Sequence, residues 1–174
     1  VRLLDRWDDR SLEAATRHVA FNLVCPWMVP LRSILEPLRE VFDIGKRTGD
    51  FEYAAYAAHG YVHNAMYAGR PLGPLVVEAL ELGAEMRALG QLNAHHVHEP
   101  FEQLLRAWTG GARDPSTLDD GAFDERALLA RFEGEGSWSG IFVLRLAMGI
   151  ARYHFGRAKD ASECFEIAKR HLEA

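Results

Sequence analysis

The residues of this chain best suited to chemistry are imidazoles. His59 and His63, in HGYVHNAMYAGR at 59–70, stand four residues apart. On a helix that spacing projects both rings from one face, as a pair of zinc ligands requires. NAHHVHEP adds His95, His96 and His98, with Glu99 beside them. A third ligand from His96 would complete a site of His59, His63 and His96, the basis for reading the chain as a metal-binding sensor or a metal-dependent hydrolase. Against this, Gly60 stands where an HExxH motif places its general-base glutamate, so no protease follows from the spacing.

Other reactive patterns are weaker. DIGKRTGD contains the Gly45, Lys46 dipeptide of a phosphate-binding loop, but Glu40 replaces the first glycine and Arg47 the magnesium-holding Ser or Thr. Gly45 to Asp50 therefore reads as a helix end. No GxSxG elbow supports serine catalysis, and Cys25 and Cys164 have no CxxC partner; both read as buried thiols. The acidic stretch ARDPSTLDDGAFDE lacks the alternating ligands and closing glutamate of an EF-hand. Within it, Asp124 reads as the cap of the following helix.

These residues need elements to hold them, and the sequence predicts helices throughout, because apolar residues recur at helical rather than alternating spacing. Helices are expected over 11–24, 31–46, 51–68, 75–89, 92–108, 125–132, 138–155 and 161–172. Pro37 and Pro100 imply a kink or a later start in two of them. Glycine punctuates the joints in TGD, AGRP, LGQ, TGGA and FGRA, where a left-handed residue ends a helix. Residues 110–125 are expected to form a surface loop and EGEGS a flexible joint. Trp7, Trp27, Trp108 and Trp138 are expected in the core.

First helices of successive pairs begin near Ser11, Phe51, Leu92 and Trp138, a period of about 40 residues, within the range of helical repeats. The expected fold is all-α: one α-solenoid of about four antiparallel hairpins over 1–174, tetratricopeptide-like. The last hairpin, GIARYHFGRAKDASECFEIA, places Gly149, Gly156, Ala161, Phe165 and Ala168 at the small and aromatic positions of a tetratricopeptide repeat. Arg152 takes the usual tyrosine position, and Phe165 is expected to fill the gap to the neighbouring hairpin. The pattern still runs at Ala174 and the chain starts at Val1, so the expectation is a segment of a longer polypeptide.

Of 174 residues 48% are hydrophobic, and the net charge is −5 with both signs intermixed. No basic stripe exists to neutralise phosphates, so nucleic acid is not an expected partner. No apolar run approaches the roughly 18 residues of a membrane span. The charged start VRLLDRWDDR is unlike a secretory h-region, which makes the expected location cytoplasmic.

LEPLRE, the helix start GDFEYAAYA, the turn AGRPL and the later FGRAKDA hairpin together resemble the helical repeat region of very large bacterial signalling proteins. Those proteins join a kinase-like domain, a P-loop signal-transduction ATPase, tetratricopeptide-like helices, a GAF domain and often a histidine kinase. The resemblance implies a non-catalytic regulatory segment with no cofactor, used for contact with a protein segment, with other domains of its own polypeptide, or with a small effector.

On α-helix 51–68, Ala54, Ala58, Val62 and Ala65 form a small apolar packing stripe, while Tyr53, Tyr56, Gly60, His63 and Tyr67 form another. In tetratricopeptide arrays the first helix of each hairpin lines the groove. By that analogy Tyr56, His63, Asn64 and Tyr67, with His96 and Gln103, are the binding candidates. The reading is a scaffold rather than an enzyme; a metal-dependent sensor or hydrolase and a homo-oligomerisation module are the alternatives.

Overall fold

A computed structural model describes residues 12–171. Among them are eight α-helices and no strand. They divide into two compact units, one ending at His95 and the other beginning at His96.

In the first unit α1 (Glu13–His18) widens into a π-helical segment, Val19–Val24, and closes in a 3₁₀ turn, Cys25–Trp27. The helix expected over 11–24 is thus α-helical only in its first half. Another 3₁₀ turn, Leu31–Ile34, leads into α2 (Leu35–Thr48), whose Leu35, Leu38, Val41, Phe42 and Gly45 are buried at helical spacing. Pro37 lies in the first turn of α2, where a missing N–H costs nothing. Gly49 ends α2 in the left-handed conformation, and Asp50 then caps α3 (Phe51–Tyr67) by accepting from the Tyr53 N–H at 3.5 Å.

The TGD joint is thus a helix end, as its sequence implies. It brings α2 and α3 close: a methyl on Gly45 would lie 2.8 Å from Ala54 Cβ. Lys46, the apparent phosphate-loop lysine, lies over the Phe42 ring and pairs with Glu85. Ala54, Ala58, Val62 and Ala65 are all buried, the small stripe expected of α3.

Gly69, φ +71°, ends α3 in a reversed turn, in which the Gly69 N–H reaches Met66 O at 3.1 Å and the Arg70 N–H reaches Ala65 O at 3.1 Å. This is the Schellman geometry, and Gly90 and Gly156 repeat it. After the first of these turns α4 (Leu72–Ala88) packs against α3. Helix α5 (Leu92–Arg106) runs through the boundary between the units and accommodates Pro100 in its interior.

In the second unit a π-helical turn, Ala107–Gly111, follows α5; then come α6 (Glu125–Glu135), α7 (Trp138–His154) and α8 (Ala158–Arg170). The stretch 110–125 is not a free surface loop. It buries Leu118 and Ser116, and Asp120 Oδ2 meets Arg106 Nη2 at 2.6 Å. Asp124 caps α6 as expected, accepting from the N–H groups of Arg126 and Ala127 at 2.8 and 3.1 Å.

Helices α7 and α8 form the hairpin that carries the tetratricopeptide spacing. A methyl on Gly149 would fall 2.4 Å from the Phe165 ring. Phe165 thus seats on its own hairpin, where the sequence reading sends it to the next. Arg152, at the tyrosine position, donates to Glu125 Oε1 at 2.5 Å and to Cys164 Sγ at 3.0 Å, tying α7 to α6 and α8.

Three expectations about single residues need correcting. Trp27 is 89% exposed and Trp138 62% exposed, so neither is a core residue. Trp108 is half-buried with its ring centroid 4.9 Å from that of His154, and Trp7 lies outside the described residues. Cys164 is buried, but Cys25 is only half-buried. Among the described residues no helix is long and apolar enough to cross a membrane.

Candidate functional site

The small stripe of α3 packs inward, and Tyr56, His59, His63 and Tyr67 lie together on another side of the helix. Tyr56, His59 and His63 are half-buried and Tyr67 is 50% exposed, at successive spacings of three and four residues that keep them on one face. The imidazoles of His59 and His63 stack with centroids 5.9 Å apart and planes 9° from parallel. Tyr67 meets His63 edge-on at 4.8 Å. Towards the start of the helix, Tyr53 and Tyr56 pack with His18 at 5.8 and 6.1 Å.

Burial pushes the His63 imidazole down to about 4 and lowers His18 as well. The Tyr56 phenol is raised by burial and then by Glu52, and that of Tyr67 by burial. A neutral His63 imidazole beside the un-ionised phenols of Tyr56 and Tyr67 presents aromatic surface with polar tips.

Gly60 belongs to neither histidine. Asn22, delivered by the π-helical segment, fills its notch: a methyl on Gly60 would lie 2.5 Å from Asn22 Oδ1. Asn64 Nδ2 donates to that same oxygen at 3.0 Å and to Gly60 O at 2.8 Å. Asn64, placed among the groove residues by sequence, is therefore a buried clasp between α3 and the segment after α1.

Gln103 is buried too. His96, in the second unit, has Nδ1 3.7 Å from Glu135 Oε2 and its ring 5.6 Å from that of Phe132. Of the expected lining, Tyr56, His63 and Tyr67 share one face of α3. Among the described residues no three His, Cys, Asp or Glu side chains converge to hold a metal. Beside Tyr56, a cavity of about 130 Å³ is lined by Glu52 and by the turn Gly90 to Ala94.

A second site is one the sequence reading does not contain. Arg32 from the 3₁₀ turn before α2, Leu35, Glu36 and Arg39 from the start of α2, Tyr61 from α3, Arg70 from the turn after it and Glu78 from α4 line a recess of about 510 Å³. The Schellman turn at Gly69 aims Arg70 back across it. Arg70 grips Glu78 with both terminal nitrogens, at 3.0 and 3.2 Å, and also donates to the Tyr61 hydroxyl, which itself donates to Glu78. Arg39 Nη1 reaches the same carboxylate at 3.5 Å, and its guanidinium lies 5.1 Å from the Tyr61 ring centroid.

Partial burial opposes ionisation of Glu78. The hydrogen bonds from Tyr61 and Arg70 and the charges of Arg70 and Arg39 outweigh it, holding the carboxyl below its ordinary range. The recess thus already holds one carboxylate, that of Glu78, between the Arg70 guanidinium and the Tyr61 hydroxyl. A legible signal existed in part: Arg32 and Arg39 are seven apart in a helical segment and share a face. Their convergence with Arg70 and Glu78, some 40 residues later, follows only from packing.

Comparison with protein families, characterised proteins and solved structures finds no match to this chain.

Proposed function

We propose that this chain is a non-catalytic binding module: a tetratricopeptide-like stack of about four antiparallel hairpins that presents the ring-lined face of α3 to a protein segment. In this reading it acts in the cytoplasm, as a regulatory part of a bacterial signal-transduction ATPase or kinase, and the segment it receives comes from another domain of that protein or from a partner. The observation that carries the reading is the run of Tyr56, His59, His63 and Tyr67 on one side of α3, half-buried to exposed, with His59 stacked on His63 and Tyr67 edge-on to it. Rigid aromatic side chains give large contact area for little lost conformational entropy. The Gly149–Phe165 contact supports the repeat architecture, because it is the close helix approach that such hairpins use.

The test is a photo-crosslinking amino acid at Tyr67, with the exposed Glu81 of α4 as the control position, in the protein expressed in its own cells. Adducts to a defined protein segment at position 67 and none at 81 are expected. Equal yields at the two positions would overturn the reading.

A further inference from the structure

The recess between α2, α3 and α4 holds more guanidinium groups than its internal carboxylates neutralise. Three arginines line it against Glu36 and Glu78, in a chain whose overall charge is −5. Arg70 is fully engaged by Glu78 and Tyr61. Arg39 is not: its contact with Glu78 is 3.5 Å long and its side chain is 43% exposed. Arg32 uses Nε on the Ala68 carbonyl at 3.1 Å, and among the described residues its terminal nitrogens meet no carboxylate.

We propose that this recess is a binding site for a small organic carboxylate, received by Arg32 and Arg39 beside the Glu78 carboxylate that Arg70 and Tyr61 already hold. The chemistry is visible in the structure: a planar carboxylate sits between a guanidinium fork and a phenol, and a second carboxylate would meet similar forks on Arg32 and Arg39. A volume of about 510 Å³ suits a small molecule, since such pockets span roughly 300–1,000 Å³. Leu35 and the Tyr61 ring supply apolar wall for a short carbon skeleton. The one surplus positive charge matches one carboxylate head.

The recess is separate from the ring-lined face. Tyr61 is two residues from His63 and so leaves α3 roughly 160° around the helix from it. The site therefore stands whether or not that face binds protein.

Calorimetric titration of the chain with succinate and with citrate, at fixed ionic strength, tests the assignment. One equivalent of at least one acid is expected to bind. Arg39→Gln and Arg32→Gln should each weaken binding about tenfold, the loss of one charge-assisted interaction. Glu78→Gln should strengthen it by a similar factor, because it removes the resident negative charge and frees Arg70. Arg32 is exposed, so its variant does not depend on a core contact, and circular dichroism checks each fold. Absence of binding by both wild type and Glu78→Gln, or binding that none of the three substitutions alters, would overturn the proposal. So would binding of an acidic hexapeptide without response to either small acid, since the site would then belong to a protein partner.

Discussion

His63 illustrates how one environment decides what a residue does. Four residues from His59, it has a metal ligand's spacing, but in the fold it lies between the His59 imidazole and the Tyr67 ring, and burial lowers its pKa to about 4. The unfolded chain would take up a proton near its ordinary value of about 6.5, while the folded chain does not. The unfolded state therefore binds more protons between about 6.5 and 4, and stability falls as pH falls through that window. Denaturant unfolding at pH 7, 6, 5 and 4.5 should show this decline, with a shallower slope in His63→Gln. Superimposable profiles would contradict the assignment of a desolvated, neutral imidazole. The spacing was legible in the sequence; Asn22 in the Gly60 notch was not, because it depends on a π-helical segment some 40 residues away.

At the scale of elements, the helices were largely legible because their apolar faces repeat at 3.6 residues and their ends are marked by Gly and Asp. Helix α3 closes at Tyr67 and Gly69 takes the left-handed turn that AGRP implies; Asp124 caps α6. What escaped was the change of helix type over Val19–Val24 and the tucking of 110–125 beneath Arg106, since both follow from tertiary contacts that override local preference. The α7–α8 hairpin makes a quantitative prediction. Gly149→Ala pushes a methyl into the Phe165 ring and should destabilise by about 1–3 kcal/mol, the usual cost of overpacking. Gly134→Ala in α6, where the added methyl meets nothing within 4 Å, should be neutral or stabilising by up to about 1 kcal/mol. Thermal or denaturant unfolding of the two variants checks the contrast, and equal effects would count against close packing at Gly149.

For the molecule as a whole, the two compact units each have their own buried interior, and the features that suggest recognition gather in the first. Its α3 presents rings on one side, and on the other Tyr61 helps to build the arginine recess. Sequence reasoning reached the ring-lined face through residue types on one helix, but could not reach the recess, which is assembled from three helices and the turns beside them. The central claim is that this chain recognises through side chains and holds no reactive ion. Elemental analysis of the purified protein and of His63→Ala tests it most directly. The account predicts no stoichiometric metal in either protein. Zinc or iron at one equivalent in the wild type, lost in His63→Ala, would contradict it.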